Sequence, residues 1–165
     1  MGISIYTKEF VTSLAEEYLG NNLVAMLLNA PDLGIEEVPT SEQLQNTIDL
    51  TMAEAANLEV NNSNNYKRAI ITLPTPEYKA SNKTLTYSVT SEFIAIEGDI
   101  GPFTHIAYAT QTNLTDATDE NGNNAGDVQG VLVKVEALEF APLSISPNIF
   151  YNHVTNFIIS TRIFN

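Results

Sequence analysis

These 165 residues contain no cysteine and no tryptophan, and only seven Lys and Arg stand against twenty Asp and Glu. The missing cysteine excludes disulfides, thiol catalysis and Cys-ligated metals. The shortage of cations argues against nucleic-acid binding, because neutralising phosphates takes several basic side chains on one face. A formal net charge of −13 instead favours solubility and neutral, basic or polar partner surfaces. Long apolar runs are lacking too. The longest near the N-terminus, Leu23–Leu28, falls far short of the ~20 residues that a membrane-spanning helix needs. Lys8 is followed by Glu9, Glu16 and Glu17 with no small-residue cleavage site, so the beginning does not read as a secretory signal. Neither nucleic acid nor membrane is expected as a partner.

What is present reads as one domain over 1–165, with a helix-containing part at 1–58 and a β-sandwich part at 59–165. In "TKEFVTSLAEEYLGNN", Thr7 can cap a helix whose Phe10, Leu14 and Tyr18 share one face. That stripe docks either on its own domain or on another subunit. "LVAMLLNAP" is a continuous apolar run closed by Asn and Pro, the pattern of a buried strand. Thr40 followed by Gln43 is a capping-box signature, with Leu44 and Ile48 as the buried face of the helix it starts. "TMAEAANL" permits helix without demanding it.

From Glu59 onward the period changes to two. "AIITL" (69–73), "TLTYSVTSEFIAI" (84–96), "FTHIAYAT" (103–110), "GVLVKVEAL" (130–138) and "FIISTRIF" (157–164) read as strands. Leu85, Tyr87 and Val89 alternate with Thr and Ser, and Val131, Val133 and Val135 alternate with Leu132, Lys134 and Glu136. Pro74 and Pro76 stop one strand; Gly98 and Gly101 frame a tight connection. The expected fold is mainly β, an antiparallel β-sandwich or jelly-roll-like domain with a short helical N-terminal part.

Sites of chemistry are hard to find. His105 and His153 stand far apart, and His105 in a strand reads as a packed or interface residue rather than a ligand. Adjacent acids such as Glu16/Glu17, Glu36/Glu37 and Asp119/Glu120 read as solvated charges, because acid/base work needs environments that separate two pKa values. "DATDENGNNAGD" (116–127) spaces oxygen ligands like a calcium loop, but Gly122 is misplaced and Gly130 stands where the closing Glu belongs. It reads as an exposed loop. Sequons at Asn61, Asn82 and Asn113 carry little weight in so Asn-rich a chain. No catalytic, cofactor or metal residue is assigned. In "YKR" (66–68), strand geometry sends Lys67 and Arg68 to opposite faces, so they make no joint basic patch. Arg68, among apolar neighbours, calls for a carboxylate partner and can stack on an aromatic ring.

The order of features resembles small virion structural proteins of tailed bacteriophages, the capsid-decorating or tail-fibre-like β-sandwich proteins. The resemblance runs over roughly residues 20–140. It rests on "LVAMLLNAP", on Glu59 and Val60 leading to Tyr66 and Arg68, on "SNKTLTYSV", and on "GPFTHIAYA" with Gly101, Thr104, His105, Ile106 and Ala107. A tryptophan belonging to the family's last segment is absent, and "PNIFYNHVTNFIISTRIFN" has no counterpart. The resemblance implies a non-enzymatic capsid decoration (cement) protein, or a tail, neck or fibre-adaptor protein, located in the virion after assembly in the host cytoplasm. Its implied partners are the major capsid or tail protein and further copies of itself, with no cofactor. Tyr66, Arg68, His105, Phe10 and Tyr18 are the candidate subunit or fold contacts. Two other readings stand beside it. One is a carbohydrate-binding module stacking sugars on Tyr66, Tyr78, Tyr87 or Tyr108; the other is a hydrolase with two catalytic carboxylates.

Overall fold

A computed structural model describes residues 23–35, 38–60, 66–110 and 131–160, together with positions 4, 5, 7, 9, 12, 16, 17, 162 and 163. In chain order the strands are β1 (Ser4–Ile5), β2 (Leu23–Leu28), β3 (Ala69–Ile71), β4 (Glu77–Lys79), β5 (Thr84–Ile94) and β6 (Ile100–Phe103). They continue with β7 (His105–Thr110), β8 (Val131–Ala137), β9 (Leu143–Ile145), β10 (Phe150–Ser160) and β11 (Arg162–Ile163). A 3-10 turn at Pro31–Leu33 and helices α1 (Ser41–Asp49) and α2 (Met52–Leu58) lie between β2 and β3.

Two sheets carry the fold, ordered β3-β2-β7-β8 and β10-β5-β4; β6 pairs with β9, and β1 with β11. Every pairing between these strands is antiparallel. The mainly-β expectation is met, while the pairings themselves do not establish jelly-roll connectivity. Leu23, Ala25 and Leu27 of β2 share one core with Ile106 and Tyr108 of β7, with Leu85, Tyr87, Val89 and Phe93 of β5, and with Phe157 of β10. On the other face of the first sheet, Val24, Met26, Leu28, Ala107 and Ala109 join Leu33, Met52 and Ala55 in a second core. β2 is therefore buried on both faces, which is why its sequence is apolar without alternation. It belongs to the helix-containing stretch 1–58 yet lies inside the sheet, so no layer boundary falls at residue 58.

Helix α1 departs from expectation. Its capping box forms, with Gln43 N–H donating to Thr40 Oγ1 at 3.2 Å and Thr40 N–H donating to Gln43 Oε1 at 2.8 Å. Its apolar face does not dock: Leu44 is 50% and Ile48 74% exposed. The helix that docks is α2, through Met52 and Ala55, started by a second capping box on Thr51 and Glu54. Small Ala55 and flexible Met52 join the core that Val24, Met26, Leu28, Ala107 and Ala109 build on this face, with α2 beside β8, whereas α1 lies beside the Pro31–Leu33 turn.

The strand readings shift in detail. "FTHIAYAT" splits at Thr104: Phe103 points into the inter-sheet core and Ala107 into the helix-side core. On β8 a bulge moves the register between Tyr108↔Lys134 and Ala109↔Leu132, putting Leu132 and Val135 on the same side. Alternation of Val131, Val133 and Val135 is lost there. β4 and β9 were not anticipated, and the closing strand begins at Phe150, seven residues before "FIIS". The 116–127 loop lies outside the described residues, as do Phe10, Leu14 and Tyr18. Of the expected N-terminal helix, Glu9, Thr12, Glu16 and Glu17 are helical. Thr12 and Glu16 lie close enough to the Tyr87 hydroxyl to act on it, which sets them against their own domain.

Candidate functional site

The residues that carry the resemblance meet in the interior. β3 flanks β2 only as far as the Ala25↔Ala69 pair; beyond it, Glu59 and Val60 take over the edge of β2. Val60 N–H donates to Leu27 C=O at 2.9 Å, and Asn29 N–H to Leu58 C=O at 2.9 Å. At this change of partner, Leu27 N–H donates to the Tyr66 hydroxyl at 2.9 Å, and that hydroxyl donates to Glu59 Oε1 at 2.9 Å. Arg68 grips the same carboxylate from two nitrogens: Nε at 2.9 and 3.1 Å, Nη2 at 2.7 Å. The side chains of Arg68 and Glu59 are both wholly buried. Burial, and next the Glu59 charge, hold the Tyr66 hydroxyl pKa well above its usual value. The Tyr66 ring lies nearly parallel to Phe93, 6.3 Å between centroids. Tyr66 and Arg68 are thus fold contacts that join the edge of β2 to the inter-sheet core.

Thr104 and His105 form a second junction. Thr104 N–H donates to Leu28 C=O at 2.8 Å, its carbonyl accepts from Leu138 N–H at 3.0 Å, and its hydroxyl accepts from Ala30 N–H at 2.9 Å. His105 Nδ1 stands 2.8 Å from that hydroxyl. The imidazole is 2% exposed, and burial lowers its pKa, opposed by the Gly34 backbone. His105 is therefore inside the helix-side layer and does not reach a surface that another subunit could touch.

His153 belongs elsewhere, on the face of β10 turned toward β8. Its Nε2 lies 3.2 Å from Glu136 Oε1, while Thr155 Oγ1 donates to Glu136 Oε2 at 2.6 Å and Lys134 Nζ lies 3.3 Å from it. Lys134 also donates to Thr155 Oγ1 and Asn156 C=O, at 2.7 and 3.0 Å. The His153 hydrogen bond, with Thr155 and Lys134 adding and burial opposing, lowers the Glu136 pKa to about 2. The cluster borders a cavity of about 600 Å³, lined also by Glu139, Phe140 and Tyr151. A carboxyl held at that value stays ionised near neutrality; it has no proton to give and is a weak base. Its geometry makes it a polar latch between edge strands of two sheets.

This latch escaped the sequence reading, although alternation had placed Lys134 and Glu136 on one face of β8. The missing half was the strand character of "FYNHVTN", where two asparagines hide the period-two pattern. The carboxylate that Arg68 needed was foreseen as a type; that Glu59, nine positions earlier in the chain, supplies it is settled only by the tertiary placement of the two. Of the tyrosines considered for sugar stacking, Tyr66, Tyr87 and Tyr108 are at most 1% exposed and offer no ring face to solvent. Among the described residues no group of three or more metal-ligating side chains comes together. Compared with known proteins, the chain matches no family model, no curated protein and no solved structure.

Proposed function

We propose that this chain is a structural component of a bacteriophage virion: a capsid decoration protein that contacts the major capsid protein, acts as a homo-oligomer and stabilises the shell. One observation carries the reading. Glu59, Val60, Tyr66 and Arg68, the most specific residues of the resemblance, converge on the edge of β2, three of them in a single hydrogen-bonded network. A motif that serves as a fold anchor suits a particle-building protein, whose work is done by its shape and surface. The alternative within the same class is a tail, neck or fibre-adaptor protein. The sugar-binding reading loses its support with the burial of three of its four tyrosines.

The test is binding to particles. Purified chain is mixed with decoration-free expanded capsids, and separately with tails, of the phage whose genome encodes it. Saturable co-sedimentation with capsids and a raised temperature of shell disruption are expected. Saturable binding to tails alone would move the assignment to the alternative. Failure to bind any virion component overturns the proposal.

A further inference from the structure

The outward face of β5 and β10 has a pattern that neither core explains. Along β10, side chains alternate: Tyr151, His153, Thr155, Phe157 and Ile159 turn inward, while Phe150, Asn152, Val154, Asn156 and Ile158 turn out and are all exposed. Phe150, Val154 and Ile158 are large apolar residues at 56%, 60% and 64% exposure. Read outward from Phe150 to Ile158, the strand runs apolar, amide, apolar, amide, apolar, a stretch symmetric about Val154, with Ser160 following at its far end. Beside it β5 presents Thr86, Ser88, Thr90, Glu92 and Ile94, with Thr90 directly opposite Val154.

We infer that this face is a two-fold self-association surface, on which a second copy of the chain packs its own β5/β10 face with the axis at Val154. A two-fold contact must be self-complementary, because each patch meets its own image. An axis in the plane of the sheet and across the strands lays β10 antiparallel over β10. Phe150 then meets Ile158 of the other copy, Asn152 meets Asn156, and Val154 meets Val154. The same operation sets Ile94 over Thr86 and Glu92 over Ser88, so no like charges confront each other.

Charge singles out this occupant. A chain carrying −13 repels its copies, so self-association has to use a surface that is nearly free of carboxylates. Among the ten outward residues just named, Glu92 is the one charge; Glu77 and Lys79 on β4 stand at the margin. From Phe150 to Ile158 the face is about 30 Å long at ~3.3 Å per strand residue, which with both copies counted is on the order of 1,000 Å², the minimum area of a biological interface. The strand edge is less available, because Lys134 already bonds the Asn156 carbonyl. This inference deepens the homo-oligomer part of the reading above, yet it can fail or hold without any virion present.

Sedimentation velocity of the full chain over a micromolar concentration series reads the outcome. A dimer is expected, and Val154→Lys, which puts two ammonium groups on the axis, should weaken it about tenfold or more. Circular dichroism should stay unchanged, since Val154 is exposed, and Ile70→Lys on the other sheet should dimerise like the parent. Because the chain has no cysteine, single-cysteine variants give clean cross-links. A short bis-maleimide should join V154C to itself, and N152C to N156C in a mixture, well above I70C. A chain that stays monomeric throughout the series overturns the inference, as does a dimer indifferent to Val154→Lys. A direct V154C disulfide would also overturn it, because that needs Cα atoms within ~7 Å and so an edge-to-edge pairing. So would a monomer whose capsid binding is lost in Val154→Lys, which would assign the face to a different partner.

Discussion

Arg68 is held by geometry that leaves little freedom: its guanidinium reaches both oxygens of a fully buried carboxylate, which in turn receives the Tyr66 hydroxyl. Removing one charge from such a pair leaves the other desolvated and uncompensated, at a cost of about 3–5 kcal/mol. Arg68→Ala and Glu59→Ala should therefore each lower the urea midpoint strongly. The double variant Glu59→Leu/Arg68→Met, which removes both charges and keeps volume, should recover most of that loss. Equal damage in the single and double variants would show that the anchor acts through shape alone. A second residue-level expectation concerns acid. Glu136 has a folded pKa of about 2 against an ordinary value of 4.5, so its contribution is complete above the ordinary value and disappears as pH falls through the folded one. Stability of the parent should drop across that window, and Glu136→Gln should flatten the drop. Buried His105 adds a contribution of the same sign. Its pKa is depressed in the fold, so the unfolded chain takes up more protons as pH falls below ~6.5.

At the scale of elements, the two helices carry similar caps and opposite fates. α1 leaves Leu44 and Ile48 in solvent, whereas α2 buries Met52 and Ala55 in the helix-side core. Ile48→Ser should change thermal stability by no more than ~0.5 kcal/mol, the range of surface substitutions, while Met52→Ala should cost about 2–5 kcal/mol. Thermal melts of the two variants side by side make the comparison; an Ile48→Ser loss as large as that of Met52→Ala would mean α1 is packed after all. The same pair shows what the sequence could and could not disclose. Capping chemistry is local, so Thr40–Gln43 was legible from four residues. Which helix docks depends on a core face to which β2 contributes from far upstream and Ala107 and Ala109 from more than fifty residues further along. β2 and β5 were legible for a similar reason, since a doubly buried strand and a half-buried strand leave their patterns in a single segment. β4, β9 and the first half of β10 have no such signature, because three-residue strands are too short for a period and asparagine masks the third. For the buried network, residue types at positions 66 and 68 pointed to anchoring, but the partner, Glu59, is brought to them by its place on the edge of β2.

For the whole molecule, the decisive fact is that one strand serves two cores. β2 gives Leu23, Ala25 and Leu27 to the inter-sheet core, and Val24, Met26 and Leu28 to the helix-side core. Its hydrogen bonds run to β7 on one edge, and to β3 and then Glu59–Val60 on the other. Opening β2 exposes both cores at once, so its amides can exchange with solvent only when the entire fold opens. β5 has a related position, paired along its full length with β10 and in its first three residues with β4. By contrast α1 rests on a 3-10 turn and buries no side chain, so it can open without disturbing either core. Local opening energies range from near zero to the global value according to how much buried contact each opening breaks. Native-state hydrogen exchange should accordingly rank the amides of β2 and the middle of β7 as slowest, with a denaturant dependence equal to that of global unfolding. Amides of α1 should exchange much faster and with almost no denaturant dependence. Arg68→Ala sharpens the ranking. If the buried network ties the second edge of β2 into the fold, the Leu27 amide, which donates to Tyr66, should lose protection by more than the fall in global stability accounts for. Ala107 and its neighbours on β7 should lose only the global amount. Equal losses at both strands would assign the network to overall stability and not to that edge.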